Sequence, residues 1–499
     1  MDTIYTSERI YPNSALLPAE VFAGGIVVSA IDGKVTRVLR SRAAVERYLQ
    51  DSAGEVEHVD FGDLLLMPGL VDTHVHINEP GRTDWEGFHT ATKAAAAGGF
   101  TTVCDMPLNS IPPTTSVHNL RAKVGAARGK IFVDVAFWGG LVPGNEAELR
   151  PLIDAGVIGF KCFLCPSGVD EFPHVTERQV QRAARLLEGT GAVLAFHAEL
   201  ECQRGRTDAT EPYRYRTFLA TRPAIMERRA IELVANVAQQ YDVRAHIVHL
   251  STAQALPTIR EARARGARLT VETCHHYLAL AAEDVPDART EYKCCPPIRD
   301  RTNREQLWRA LQSGDIDLVV SDHSPSPPQL KLLTDGKRRG NFLEAWGGIA
   351  SLQLGLPLFW TGGQRYGMTV RETLRLLCTE PARLAGLQHR KGRLDVGYDG
   401  DMCVWDPEGV FTVTTDMLEF QHKATPYLNR TLRGVVHATV LRGTIVYRRT
   451  GAAPFGPPMG SVLLDGNSGN RDEDPKVSGH SKLTADNTSG EDFEDGVDL

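Results

Sequence analysis

The sequence predicts an α/β protein: a (β/α)8 barrel with a smaller β-sandwich-like domain built from both chain ends. Three features predict it. Eight short β-rich runs are mostly continuous apolar stretches, as strands buried on both faces of a parallel sheet must be. Amphipathic segments alternate with them, the order that closes a parallel barrel. The flanks are instead rich in Val, Gly and Thr with DG and RG turn signals, the pattern of short β-strands.

Taken in order, the eight runs centre on residues 69–75 (GLVDTHV), 100–106 (FTTVCDM), 131–137 (IFVDVAF) and 157–163 (VIGFKCF). They continue at 193–198 (VLAFHA), 245–250 (AHIVHL), 268–273 (RLTVET) and 316–321 (IDLVVS). Among the helical segments, 176–189 marks its start most clearly, because Thr176 and Gln179 stand at capping-box spacing. The barrel is expected over residues 66–390, with 1–65 and 391–460 forming the small β domain. Residues 461–499 are expected to be an acidic, disordered tail. From Gly466 onward too few large apolar groups remain to offset the entropy of ordering.

Composition narrows the function classes. Of 499 residues, 42% are hydrophobic and 23% charged, ordinary for a globular protein. The net charge of −7 is concentrated in the tail, where residues 466–499 hold nine acids and three bases; the body has 53 acids and 52 bases. So neutral a body offers no electrostatic footprint for nucleic acid. No apolar run is long enough to cross a bilayer, MDTIYTSERI does not open a secretory signal, and the terminal GVDL matches no receptor-read address. Nine cysteines, odd in number and scattered from Cys104 to Cys403, point to a reducing compartment. The expected location is intracellular, the cytoplasm first, with an organelle left open.

The sharpest local signal is PGLVDTHVHINEPG, residues 68–81. His74 and His76 are two apart at the end of a strand, so their imidazoles point the same way, into the barrel mouth where such folds build active sites. Paired neutral imidazoles suit zinc or a similar divalent ion. Alone, the pair would read as two satisfied polar histidines. The other strand ends repeat the pattern: Lys161 inside VIGFKCF, His197 ending VLAFHA, His249 in AHIVHL, and Asp322 after IDLVVS. Each alone could be a core histidine, a snorkelling lysine or a capping aspartate. Six such residues from strands one, four, five, six and eight, all at carboxyl ends, point to a metal site. An unpaired Lys161 ammonium would also be costly to bury in an apolar strand.

On these motifs the sequence resembles the cyclic amidohydrolases of the amidohydrolase superfamily, and within them the allantoinases, from about Asp63 to Asp406. The resemblance implies that Lys161 is carboxylated and bridges two divalent ions, zinc first among the candidates. His74, His76 and Asp322 would complete one ion's shell; His197 and His249 would complete the other's. It implies that water activated between the ions opens the hydantoin ring of allantoin to give allantoate, a step of purine catabolism. Asp322 is the natural general base for that step. A homo-oligomer, a tetramer, is also implied, with a small cyclic ureide as the substrate partner and no nucleic acid or membrane insertion.

Weaker signals surround this core. Asn109, in DMPLNS, and Ser324, in SDHSP, are expected to meet substrate at the mouth, and the resemblance implies that the backbone of Cys295, in EYKCCPPIR, does so too. Cys162-x-x-Cys165 overlaps the Lys161 strand end and reads as packing. His275 and His276 read as loop and packing residues, and His246 should face away from His249's side. His323 divides between a supporting and a purely structural role. Two related substrates are the alternatives. Dihydroorotases have an Arg after the His-x-His pair, where this chain has Asn78; dihydropyrimidinases have a Tyr five residues after the carboxylated lysine, where this chain has Pro166. A third alternative is a non-catalytic assembly protein related to dihydropyrimidinase, which the acidic tail would suit but six intact ligand positions would not.

Overall fold

The computed structural model describes residues 1–14, 16, 20–201, 210–334, 336–451 and 453–464. Eight parallel strands form the barrel: β1 (Leu70–Val75), β2 (Phe100–Asp105), β3 (Asp134–Phe137, resumed at Gly139–Gly140) and β4 (Gly159–Phe163). The others are β5 (Val193–His197), β6 (Arg244–Ile247), β7 (Leu269–Cys274) and β8 (Leu318–Val320). Each pairs in parallel with the next. β8 closes on β1 where the Ser321 N–H donates to Asp72 Oδ2 (3.0 Å) and the His76 N–H to the His323 carbonyl (2.8 Å). All eight predicted runs are barrel strands, because a strand between a filled barrel and a helical layer has no wet face to interrupt its apolar run.

Helices cover the outside. Phe88–Ala97 lies on β2 through a run of buried alanines, whose small side chains let helix and sheet approach closely. The predicted capping box is formed: the Gln179 N–H donates to Thr176 Oγ1 (3.4 Å), and the Thr176 N–H donates back to Gln179 Oε1 (2.8 Å). No helix among the described residues is long and apolar enough to cross a membrane.

The flanks form one eight-stranded sheet from both chain ends. Its N-terminal part includes a strand that the sequence reading did not single out, Asp2–Ile10, which pairs with Phe22–Val28, Val56–Asp60 and Leu65–Pro68. Leu65–Pro68 meets Met402–Thr412, which pairs in turn with Thr431–Leu441 and the latter with Thr444–Arg448. Buried Ile26, Val28, Leu66, Met402, Val404 and Val440 form its core. The small sheet is tied to the foot of the barrel by charge. Buried Lys391 Nζ lies 2.7 Å from Asp134 on β3, 2.8 Å from Asp399 and 2.6 Å from Asp401.

One boundary needs correction. The expected disordered tail from 461 starts too early, because Val462–Leu463 is a short strand paired in parallel with Val135 and Ala136 of β3. It occupies the splay left where β3 meets β4 only at Gly139–Gly140, and Leu464 packs against Gly156 just before β4. The rest of the expected tail, 465–499, lies outside the described residues.

Candidate active site

The carboxyl ends of the barrel strands bring all six predicted ligand residues into one cleft of about 240 Å³. β1 supplies His74 and His76, as strand alternation requires. His74 Nε2 stands 3.2 Å and His76 Nε2 3.4 Å from the same oxygen, Asp322 Oδ1. Although buried, His74 Nε2 makes no hydrogen bond. A buried nitrogen left without a partner is costly. Two imidazoles and a carboxylate whose ligand atoms gather within 4.8 Å of one another are what a cation's ligands look like.

A second group faces the first. His197 Nδ1 and His249 Nε2 lie 3.0 Å apart, and His249 Nδ1 is buried without a partner. The rings of His74 and His249 are 5.4 Å apart between centroids, so the two groups share one chamber. Lys161 of β4 is 1% exposed, and burial lowers its pKa to about 8, nearby carboxylates only partly opposing. Burial also lowers His76 to about 4 and holds His197 and His249 below the ordinary histidine range. Neutral imidazoles with free lone pairs are the form that binds metal. Burial would raise the Asp322 carboxyl, but the adjacent His74 and His76 outweigh it and keep it ionised. The residues present therefore fit divalent ions: four imidazoles, one carboxylate and an amine that burial biases toward its neutral form.

The backbone is bent to reach this geometry. Asp322 (φ 44°), His249 (φ 41°) and Asn109 (φ 67°) all adopt left-handed conformations that non-glycine residues rarely take. Such strain persists only where surrounding structure imposes it, and it gathers at functional sites.

Asn109, Ser324 and Cys295 line the same cleft, and Asn109 Nδ2 stands 3.5 Å from His76 Nδ1. Pro166 lines it too, whereas Asn78 turns its amide toward the Pro325 carbonyl (3.4 Å). The cleft nevertheless holds cations that the motif comparison did not foresee. Arg222 lines it while paired with Glu199, and Lys293 lines it while donating to the Ala345 carbonyl (2.6 Å). Cys162 and Cys165 are buried free thiols raised by burial, in keeping with packing. His275 and His276 are buried in the short helix after β7. His246 reaches Thr270 Oγ1 (2.8 Å) and Glu272 Oε2 (3.1 Å), not the His197–His249 pair. His323 Nδ1 accepts the Ser351 N–H (3.0 Å), so it pins the loop that follows β8.

Two carboxylates that the sequence reading passed over are central. Glu272, within β7, lies 2.5 Å from His74 Nδ1 and accepts the His249 N–H at 3.2 Å. Glu199, two residues past His197, lies 2.7 Å from His197 Nε2. Glu272 was findable, since a carboxylate in an apolar strand demands a partner as Lys161 does. Arg222 carried no local signal; only folding brings it to Glu199.

The amidohydrolase family model matches residues 65–446. The chain is 53% identical over 362 residues to the mitochondrial allantoinase of Aquarana catesbeiana, covering 72% of each chain. It is 48% identical to the allantoinase of Streptomyces avermitilis, covering 93% of this chain and 98% of that one. Among solved structures, the L-hydantoinase (dihydropyrimidinase) of Arthrobacter aurescens superposes with a TM-score of 0.83 at 27% identity, over 93% of this chain and 99% of that one.

Proposed function

The chain belongs to the amidohydrolase family, among its allantoinases, and we propose that the barrel-mouth cleft opens the ring of allantoin with two divalent ions held by His74, His76, Lys161, His197, His249 and Asp322. The reaction is hydrolysis of a cyclic amide, allantoin to allantoate, in purine catabolism. The observation that carries the metal reading is the convergence of His74 Nε2, His76 Nε2 and Asp322 Oδ1 opposite the His197–His249 pair. Zinc is the proposed ion; a homotetramer and a cytoplasmic location complete the reading. Elemental analysis, light scattering and fractionation test those three in turn.

Lys161 is proposed to be a carbamate. Its neutral amine adds to carbon dioxide and releases a proton, which turns a buried cation into an anionic ligand. Burial that lowers the amine to about 8 favours the neutral, reactive form. Divalent ions so held would supply water of lowered pKa and polarisation of the scissile carbonyl. Asp322 takes the proton from the attacking water and returns it to the departing ring nitrogen, a role that its ionised state and position at the cleft support. Asn109, Ser324 and the Cys295 backbone are proposed to hold the ring and its neutral ureido arm, because each lines the cleft.

Substrate choice is tested by side-by-side initial rates. No arginine stands at the Asn78 position to clamp a carboxylate, and no tyrosine stands at the Pro166 position to donate to a pyrimidine-ring oxyanion. Allantoin should exceed dihydroorotate and dihydrouracil at least about tenfold in kcat/KM, equivalent to ~1.4 kcal/mol in transition-state binding. Faster turnover of either competitor would reject the substrate while leaving the amidohydrolase chemistry intact.

A further inference from the structure

We infer that two buried carboxylates, Glu272 and Glu199, set opposite tautomers on two histidines of the centre and so each govern one of its two metal positions. The inference rests on the dinuclear reading above. Glu272 is 1% exposed, and its Oε1 lies 2.5 Å from His74 Nδ1. An ionised carboxylate can only accept, so Nδ1 is the donor in this contact, and Nε2, which makes no hydrogen bond, is the nitrogen left for a metal. That nitrogen faces Asp322 Oδ1, on the side shared with His76. The other carboxylate oxygen of Glu272 lies 3.1 Å from His246 Nε2, which fixes its orientation from the opposite side.

Glu199 does the reverse. It is fully buried, and its Oε2 lies 2.7 Å from His197 Nε2 while also accepting from Arg222 Nη1. The His197 proton therefore sits on Nε2 and the lone pair on Nδ1, which faces His249 Nε2 at 3.0 Å. One histidine presents Nε2 and the other Nδ1, so a uniform environment could not prepare both. Two carboxylates buried beside histidines would also be a poor way merely to fill a core, since apolar residues of similar size pack there without desolvation cost. Glu272, Glu199 and Arg222 are positioning residues: they act on the histidine rings of the centre through His74 and His197, while the backbone N–H of His249 that Glu272 also accepts (3.2 Å) can be kept by a glutamine carbonyl.

The test uses full-length protein stripped of metal, then titrated with Co²⁺ in bicarbonate buffer. Bound ions are counted by elemental analysis and followed by visible absorption. Wild type should bind two ions. Glu272→Gln and Glu199→Gln should each keep one ion at near wild-type affinity and bind the other about 10–100-fold more weakly. Adding His197→Ala should remove the remaining ion from Glu272→Gln but leave that of Glu199→Gln. Arg222→Met should reproduce the Glu199→Gln loss in part, and it carries the test should a glutamine variant fail to fold. Two ions at wild-type affinity in both variants, or loss of the same ion from both, would overturn the inference. A wild type that binds no metal would overturn it together with the dinuclear reading.

Discussion

Asp322 and Lys161 show how single residues take their chemistry from their place on a strand. Asp322 follows β8 in a left-handed conformation (φ 44°) that aims its carboxylate at His74 and His76. Asp322→Asn keeps the shape and removes the proton acceptor; kcat should fall by about 10²- to 10⁴-fold. Turnover within a few-fold of wild type would show that another group takes the proton. Lys161→Ala should lose metal and activity together, and short carboxylic acids that can span the vacated position should restore part of both. Wild-type metal content and turnover in Lys161→Ala would remove its bridging role. Both residues were legible in the sequence because a charge in an apolar strand is conspicuous. Glu272 was equally conspicuous and was missed because it is not itself aimed at the mouth; it reaches the site through His74.

At the scale of elements, the strand ends gather neutral histidines, and that makes the metal-free protein sensitive to acid. Burial lowers His76 and His276 to about 4 and His275 to about 3. Between those values and the ordinary histidine pKa of about 6.5, the unfolded chain binds protons that the folded one refuses, so stability falls as pH falls. Asp72 opposes this: burial raises it to about 6, so there the folded state takes up a proton first. Burial also raises Asp105, Glu227, Asp317, Glu380 and Asp401, but from the carboxylate range, whereas His197 and His249 are lowered with the other three histidines, so the histidines prevail and the Tm of metal-free protein should decline from pH 7 to pH 5. A Tm that rises over that interval would contradict the buried neutral histidines. The eight strands were readable because double-sided burial leaves a continuous apolar run. The short resumption of β3 at Gly139–Gly140 was not, since two glycines carry no hydrophobic pattern.

At the scale of the whole molecule, residues 461–463 bind the C-terminal chain to the barrel. Ser461 donates its N–H to Asp134 Oδ1 (2.8 Å), and Leu463 is buried beside β3. Residues 466–499, by contrast, contain little that could enter a core. Removing 466–499 should leave turnover within a few-fold of the full chain. Removing everything from 461 should lower Tm measurably, because it uncovers β3 and strips Asp134 of a donor. Equal Tm for both truncations would show that the short strand contributes nothing, and a large loss from the first would give the tail a role in the barrel.

By itself the sequence determined the barrel, the two-ended β domain and the six residues of the proposed metal centre. Each of these is written in local pattern: continuous apolar runs, alternation along β1, and charged or imidazole groups where strands stop. Tertiary structure alone decided what surrounds those residues. The pairing of Glu199 with Arg222 spans 23 positions, that of Glu272 with His74 spans 198, and the Lys391–Asp134 tie spans 257. No short-range spacing encodes such partners, because they are fixed by which strand ends and loops the closed barrel brings together. The strand at Val462–Leu463 belongs to the same class: two apolar residues acquire a structure only from the gap between β3 and β4 that they fill.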